Sequence, residues 1–310
     1  MRKKHSIHEQ FKYTKFFTLP PSPFVVPLIN ASLYLLKKSV STPKTVRKKE
    51  IKLSTPDGEA ITLTILTPKN LQAPAPCLIY FHGGGFFMEE APHHRKLTAE
   101  YAVKTGAVVV NVHYRITPQY PFPTPLKDSD LAVNWVFSHT DYLKINPDKI
   151  AIGGDSAGGT LAASVTLLRR DRKDKPFCFQ ILVYPVTDAR METSSMQEFD
   201  KTPLWNSKLN EMMWSLYVRK DSETNQKYAS PMEAESFECL PDAYVEVNEY
   251  DPLRDEGLEY AEKLKEAGSE VETYVVEKGV HGYDTKTQSD LARKYVKKRI
   301  TALNKAFSKK

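Results

Sequence analysis

The chain has 310 residues, 44 Lys and Arg against 38 Asp and Glu, a formal net charge of +6, and 41% hydrophobic residues. That length and composition suit one α/β domain with an insertion and can bury a large core. No run approaches the roughly 18 apolar residues of a membrane helix, and three cysteines with no C-x-x-C pair point to reduced, buried thiols rather than a disulfide frame or zinc site.

Residues 1–45 are aromatic-rich and broken by Pro20, Pro21, Pro23 and Pro27, with Leu28, Leu33, Leu35 and Leu36 spaced for a short amphipathic helix. Met1-Arg2-Lys3-Lys4 looks like a signal-peptide start. The polar stretch that follows through Lys15 has no apolar core or cleavage site, so a cytoplasmic protein is expected. Residues 48–66 read as two antiparallel strands around the turn Thr55-Pro56-Asp57-Gly58. From 77 to 305 strands and helices alternate. Strands are expected at 77–81, 107–113, 149–154, 179–184, 243–250 and 271–276, and helices at about 92–105, 124–139, 157–170, 256–267 and 287–306. This alternation predicts an α/β fold with a mostly parallel sheet covered by helices on both faces. Residues 188–240 interrupt it, with a helix expected from Ser207 to Lys220.

Four stretches in this frame carry chemistry. The strand at 77–81 runs into His82-Gly83-Gly84-Gly85-Phe86, where consecutive glycines can present bare N–H groups to a ligand oxygen. The strand at 149–154 runs into Gly154-Asp155-Ser156-Ala157-Gly158 and then a helix. A bare G-x-S-x-G is common by chance. Between a strand and a helix, its glycines make room for a sharp reversal that lifts Ser156 clear of the sheet. A serine nucleophile needs a base and an orienting acid. Asp251, at the carboxyl end of the strand 243–250, is the better acid, because catalytic groups of open α/β sheets gather at strand ends. Asp255 suits the first turn of the next helix, and Asp155 and Asp188 are weaker competitors. His281, on a glycine-flanked loop thirty residues after Asp251, is the candidate base. The other histidines suit other places: His5 and His8 a basic tail, His82 the glycine loop, His93 and His94 the opening of a helix, His113 a core strand and His139 a helix end.

His82-Gly83-Gly84-Gly85-Phe86, G-D-S-A-G-G at 154–159, D-P-L-R-D-E-G at 251–257 and the late His281-Gly282 resemble the hormone-sensitive-lipase-like family of α/β-hydrolases, the bacterial family IV esterases, over roughly residues 45–305. Tyr114-Arg115-Ile116-Thr117-Pro118-Gln119-Tyr120-Pro121-Phe122-Pro123 is similar to the family's Y-R-L-A-P-E-x-x-F-P, with Thr117 and Gln119 where Ala and Glu are common. Tyr283 stands where Phe is usual, and Val280 replaces the frequent Ile. These departures bear on the pocket, not the reaction.

The resemblance implies Ser156 as nucleophile, His281 as base, Asp251 as its orienter, and an oxyanion hole from Gly83, Gly84, Gly85 and Ala157. It implies an α/β-hydrolase catalytic domain at 46–310, capped by residues 1–45 and the insertion at about 188–240. Phe86, Asp155, Trp205, Met213, Trp214 and Tyr217 are then candidate pocket residues. The expected activity is hydrolysis of short- to medium-chain carboxylic esters through an acyl-enzyme, with no metal or cofactor. Amide or lactone hydrolysis, a surface lipase and a ligand-binding receptor on the same fold are the alternatives. The expected partner is a small-molecule ester, with no nucleic acid and no stable membrane insertion. A homodimer stays open. The basic clusters at the ends, including Arg47-Lys48-Lys49, read as solvated faces.

Overall fold

The computed structural model describes residues 7–11, 20, 22–218 and 226–309. Its strands, in chain order, are β1 (Val46–Ser54), β2 (Ala60–Pro68), β3 (Ala75–Phe81), β4 (Val108–His113), β5 (Ile145–Asp155), β6 (Phe179–Val183), β7 (Ala243–Tyr250) and β8 (Val271–Val280). They form one sheet in the order β1-β2-β4-β3-β5-β6-β7-β8. β1 and β2 pair antiparallel around Thr55–Glu59, and β2 runs antiparallel to β4; every pairing from β4 to β8 is parallel.

The helices are α1 (Val26–Lys38), α2 (Pro92–Thr105), α3 (Thr124–Ser138), α4 (Thr140–Leu143), α5 (Ala157–Arg172), α6 (Ser194–Glu198), α7 (Ser207–Tyr217), α8 (Gln226–Ala229), α9 (Arg254–Glu266) and α10 (Asp290–Ser308). Successive side chains of a strand point to opposite faces, and the core divides accordingly. Cys77, Ile79 and Phe81 of β3 join the cluster under α3, α5 and α9, whereas Leu78 and Tyr80 join the cluster under α2 and α10. Each aliphatic side chain sealed in these layers contributes about 1.5–3 kcal/mol.

Three sequence expectations shift. β8 continues to Val280 rather than ending at 276: a bulge over 277–279, with Lys278 left-handed, interrupts the pairing, which resumes at Tyr250–Val280. His281 therefore follows the strand directly. The helix expected over 207–220 ends at Tyr217; Arg219 and Lys220 lie outside the described residues. Only Cys77 is a buried thiol. Cys178 is half-buried at the rim of β6 and Cys239 is exposed in a loop. The start at Met1–Lys4 lies outside the described residues. No helix among those described is long and apolar enough to cross a membrane.

Candidate active site

β5 ends at Asp155 and α5 begins at Ala157, so Ser156 alone makes the reversal, at φ 53 and ψ −122. For a residue with a Cβ such a backbone costs on the order of 1–3 kcal/mol and persists only when its surroundings enforce it. Here they do. Ser156 N donates to Val183 O at 2.9 Å, and a Cβ on Gly154 or Gly158 would strike backbone atoms of Gly158 or Phe81. The glycines let β5, α5 and the end of β3 meet backbone to backbone.

The reversal aims Ser156 Oγ at His281 Nε2, 3.0 Å away. His281 Nδ1 lies 2.8 Å from Asp251 Oδ2. With Asp251 ionised, Nδ1 carries the proton and Nε2 is free to accept from the serine. Asp251 follows β7 directly, is fully buried, and accepts from Leu253 N at 3.0 Å and Asn248 Nδ2 at 2.9 Å. Gly282, at φ 67, turns the chain away after the histidine.

Gly83, Gly84 and Gly85 face Ser156 across one cavity of about 410 Å³. Among the described residues the N–H groups of Gly84, Gly85 and Ala157 donate to no protein acceptor and remain available to an oxyanion. Gly84 and Gly85 have φ of 122 and 58, a path that L side chains resist. The remaining walls are mainly apolar: Leu33 from α1, Met88, Leu204 and Trp205 from the insertion, and Tyr184. Trp205 and Tyr184 both pack on the His281 ring, with centroids at 5.7 and 4.7 Å.

Asp155 and Trp205 reach the cavity as expected; Phe86, Met213, Trp214 and Tyr217 do not line it. Phe86 stacks on Tyr217 at 3.7 Å between centroids, Trp214 packs against Tyr217, and Met213 is sealed beneath. These side chains form the floor under the site because α7 turns its apolar face to the core. Asp255 sits in the first turn of α9 and accepts from Ser195 N, and Asp188 is taken by Arg190. Of the four carboxylates weighed as the acid, Asp251 alone bonds His281.

Asp155 is engaged by Tyr80 Oη at 2.9 Å and His94 Nε2 at 3.0 Å. Burial opposes its ionisation, yet the charge and hydrogen bond of His94 outweigh it and hold the carboxyl well below its ordinary range. Burial in turn lowers His94, and Asp155 reverses the balance upward. Ala91 N–H donates to His94 Nδ1, so a second ring proton would have to displace it. Asp155, His94 and the neighbouring His93 place three potential ligand atoms within 4.8 Å of one another. The direct Asp155–His94 bond accounts for the pair without an ion. Asp155 thus ties the elbow to β3 and α2, a role that its adjacency to Ser156 in sequence does not reveal. The sequence places His93 and His94 at the opening of a helix but not beside the elbow, because nothing local marks which helix start will face it.

A serine, histidine and aspartate in hydrogen-bond sequence, at strand ends of this sheet and beside a glycine loop, define an α/β-hydrolase. A family model described as alpha/beta hydrolase fold matches residues 78–285. Esterase LipI of Mycobacterium tuberculosis is 38% identical over 213 residues, 68% of this chain and 67% of that protein. Carboxylesterase NlhH of the same species is 34% identical over 227 residues, 72% of this chain and 71% of the other. The solved structure of a bacterial heroin esterase superposes with a TM-score of 0.85 at 32% identity, covering 93% of this chain and 92% of that one. The chain belongs to the hormone-sensitive-lipase-like family of α/β-hydrolases, and its activity class is carboxylic ester hydrolysis.

Proposed function

We propose that this chain hydrolyses short- to medium-chain carboxylic esters through an acyl-enzyme on Ser156. The observation that carries the reading is the chain of contacts Ser156–His281–Asp251, at 3.0 and 2.8 Å, at the wall of an apolar cavity. Ser156 Oγ attacks the ester carbonyl carbon as His281 Nε2 takes its proton. The tetrahedral oxyanion accepts from the N–H groups of the glycine loop and Ala157, each donor contributing roughly 3–4 kcal/mol to the transition state in comparable sites. Asp251 holds the imidazole and offsets its positive charge. The proton passes from His281 to the departing alcohol oxygen. Water, deprotonated by the same nitrogen, then attacks the acyl carbon and restores Ser156 Oγ–H.

At about 410 Å³ the cavity lies toward the small end of ligand pockets, which suits a compact acyl group over bulk lipid. Leu33 of α1 and Leu204 and Trp205 of the insertion, at the cavity wall, support reading these two segments as a cap over it. Three free thiols agree with a cytoplasmic setting. The test is turnover of p-nitrophenyl esters from two to sixteen acyl carbons, with matching anilides. Maximal kcat/KM on short esters is expected, and Ser156→Ala should remove at least about a thousandfold of kcat. Retained turnover in that variant, or faster anilide cleavage, overturns the reading.

A further inference from the structure

We infer that Asn248 is a positioning residue for the acid, the fourth side chain of the relay; this rests on the triad reading above. β7 turns Tyr244, Glu246 and Asn248 to one face, all three buried, while Val245 and Val247 join the apolar cluster on the other. Tyr244 and Glu246 are satisfied lower on that face, where Tyr244 Oη donates to Glu246 at 2.6 Å. Asn248 is the top of the column, three residues before Asp251. Its Nδ2 donates at 2.9 Å to Asp251 Oδ2, the same oxygen that receives His281 Nδ1–H.

The other end of the amide shows what this bond is for. Asn248 Oδ1 is buried with no hydrogen-bond partner among the described residues. It lies against Gly279, where a Cβ would come within 3.0 Å of it. Turning the amide over would set two acceptors, Oδ1 and Asp251 Oδ2, against each other. The side chain thus leaves an acceptor unmet in order to place a donor on the acid. An apolar residue of the same shape would remove the orphan while stripping one donor from the buried carboxylate, so the two effects oppose each other in the fold and only the second reaches the acid. A residue kept for packing has no use for this arrangement. Fixing Oδ2 from a second direction holds the carboxylate rotamer in which Oδ2 faces the imidazole.

The test is Asn248→Leu, with kcat and KM on a short p-nitrophenyl ester, the rate of labelling by a fluorophosphonate, and the melting temperature. We expect kcat and the labelling rate to fall roughly tenfold, the loss of one charge-assisted bond. KM should stay within about twofold, because the residue does not line the cavity. Tm should change little, because the lost donor and the removed orphan offset each other. If the leucine variant does not fold, Asn248→Ser, too short to reach Oδ2, carries the same expectations for kcat, KM and labelling, with a lower Tm from the space it leaves. Wild-type kcat in a folded variant overturns the inference, as does activity lost only together with the fold in both. Ser156→Ala serves as control. If wild type resists labelling, or labels no faster than that control, the triad reading itself fails. Normal labelling in wild type and in Asn248→Leu sinks Asn248 alone.

Discussion

His82 carries a consequence for pH. It is buried, its Nδ1–H donates to Gly83 O at 2.8 Å, and its ring stacks on Tyr114 at 4.6 Å between centroids. Burial, helped by the nearby His94, lowers its pKa from 6.5 to about 4. The folded state therefore refuses a proton that the unfolded chain accepts, and its contribution to stability is full above pH 6.5 and lost as pH falls toward 4. At pH 5 the loss is roughly 2 kcal/mol. A melting series from pH 7.5 to 5 should show it. His82→Asn, which can still donate to Gly83 O, should make the curve shallower, the remaining slope coming from His93 and His113, which burial also lowers, and an equally steep series in that variant would reject the assignment. Sequence placed His82 on the glycine loop but could not give it this property, since its burial comes from β4, α2 and the segment at Tyr114, all distant in the chain.

At the scale of the element, the elbow was the most legible part of the molecule. Its demand for glycine on either side of Ser156 is a steric requirement internal to one strand–turn–helix unit. Gly158→Ala should accordingly be severe, because the added Cβ meets the carbonyl of Phe81, a backbone atom that cannot swing aside. A loss of about 3 kcal/mol in urea unfolding is expected, along with slow fluorophosphonate labelling. Wild-type stability would mean that the elbow is looser than its geometry. Helix α7 shows the opposite limit. Its aromatic and methionine content announced a buried face, but not whether that face looks into the cavity or into the core. Trp205, in the turn before α7, reaches the site; Met213, Trp214 and Tyr217 do not. Which way a helix faces depends on what it lands upon. Likewise Leu33, rather than Leu28, Leu35 or Leu36, turns toward the cavity from α1.

Across the whole molecule, the segments that carry Asp251 and His281 are bound together by Arg299 of α10, one of the basic residues that cluster near the end of the chain. Its guanidinium is fully buried, donating to Glu246 of β7 at 2.6 Å and to Asp284 at 2.6 Å. Asp284 lies three residues after His281 and also accepts from Tyr184, the residue beneath the imidazole. Arg299→Met would strand two buried carboxylates and should cost about 3–5 kcal/mol, read as a lower denaturation midpoint. A midpoint equal to wild type would show the cluster to be dispensable. A mostly parallel sheet could be expected from alternating elements, but a clamp joining β7, the His281 turn and α10 could not, because Glu246 and Asp284 lie 53 and 15 residues from Arg299 and share no motif. The sheet also has an open flank. β1 is its outermost strand, and Arg47, Lys48, Lys49 and Lys52 along it are exposed. A second copy approaching edge to edge would have to bring these cations against their own counterparts. The basic cluster, read from sequence as a solvated face, thus also lines an outermost strand with like charges, an arrangement that disfavours strand addition along that edge.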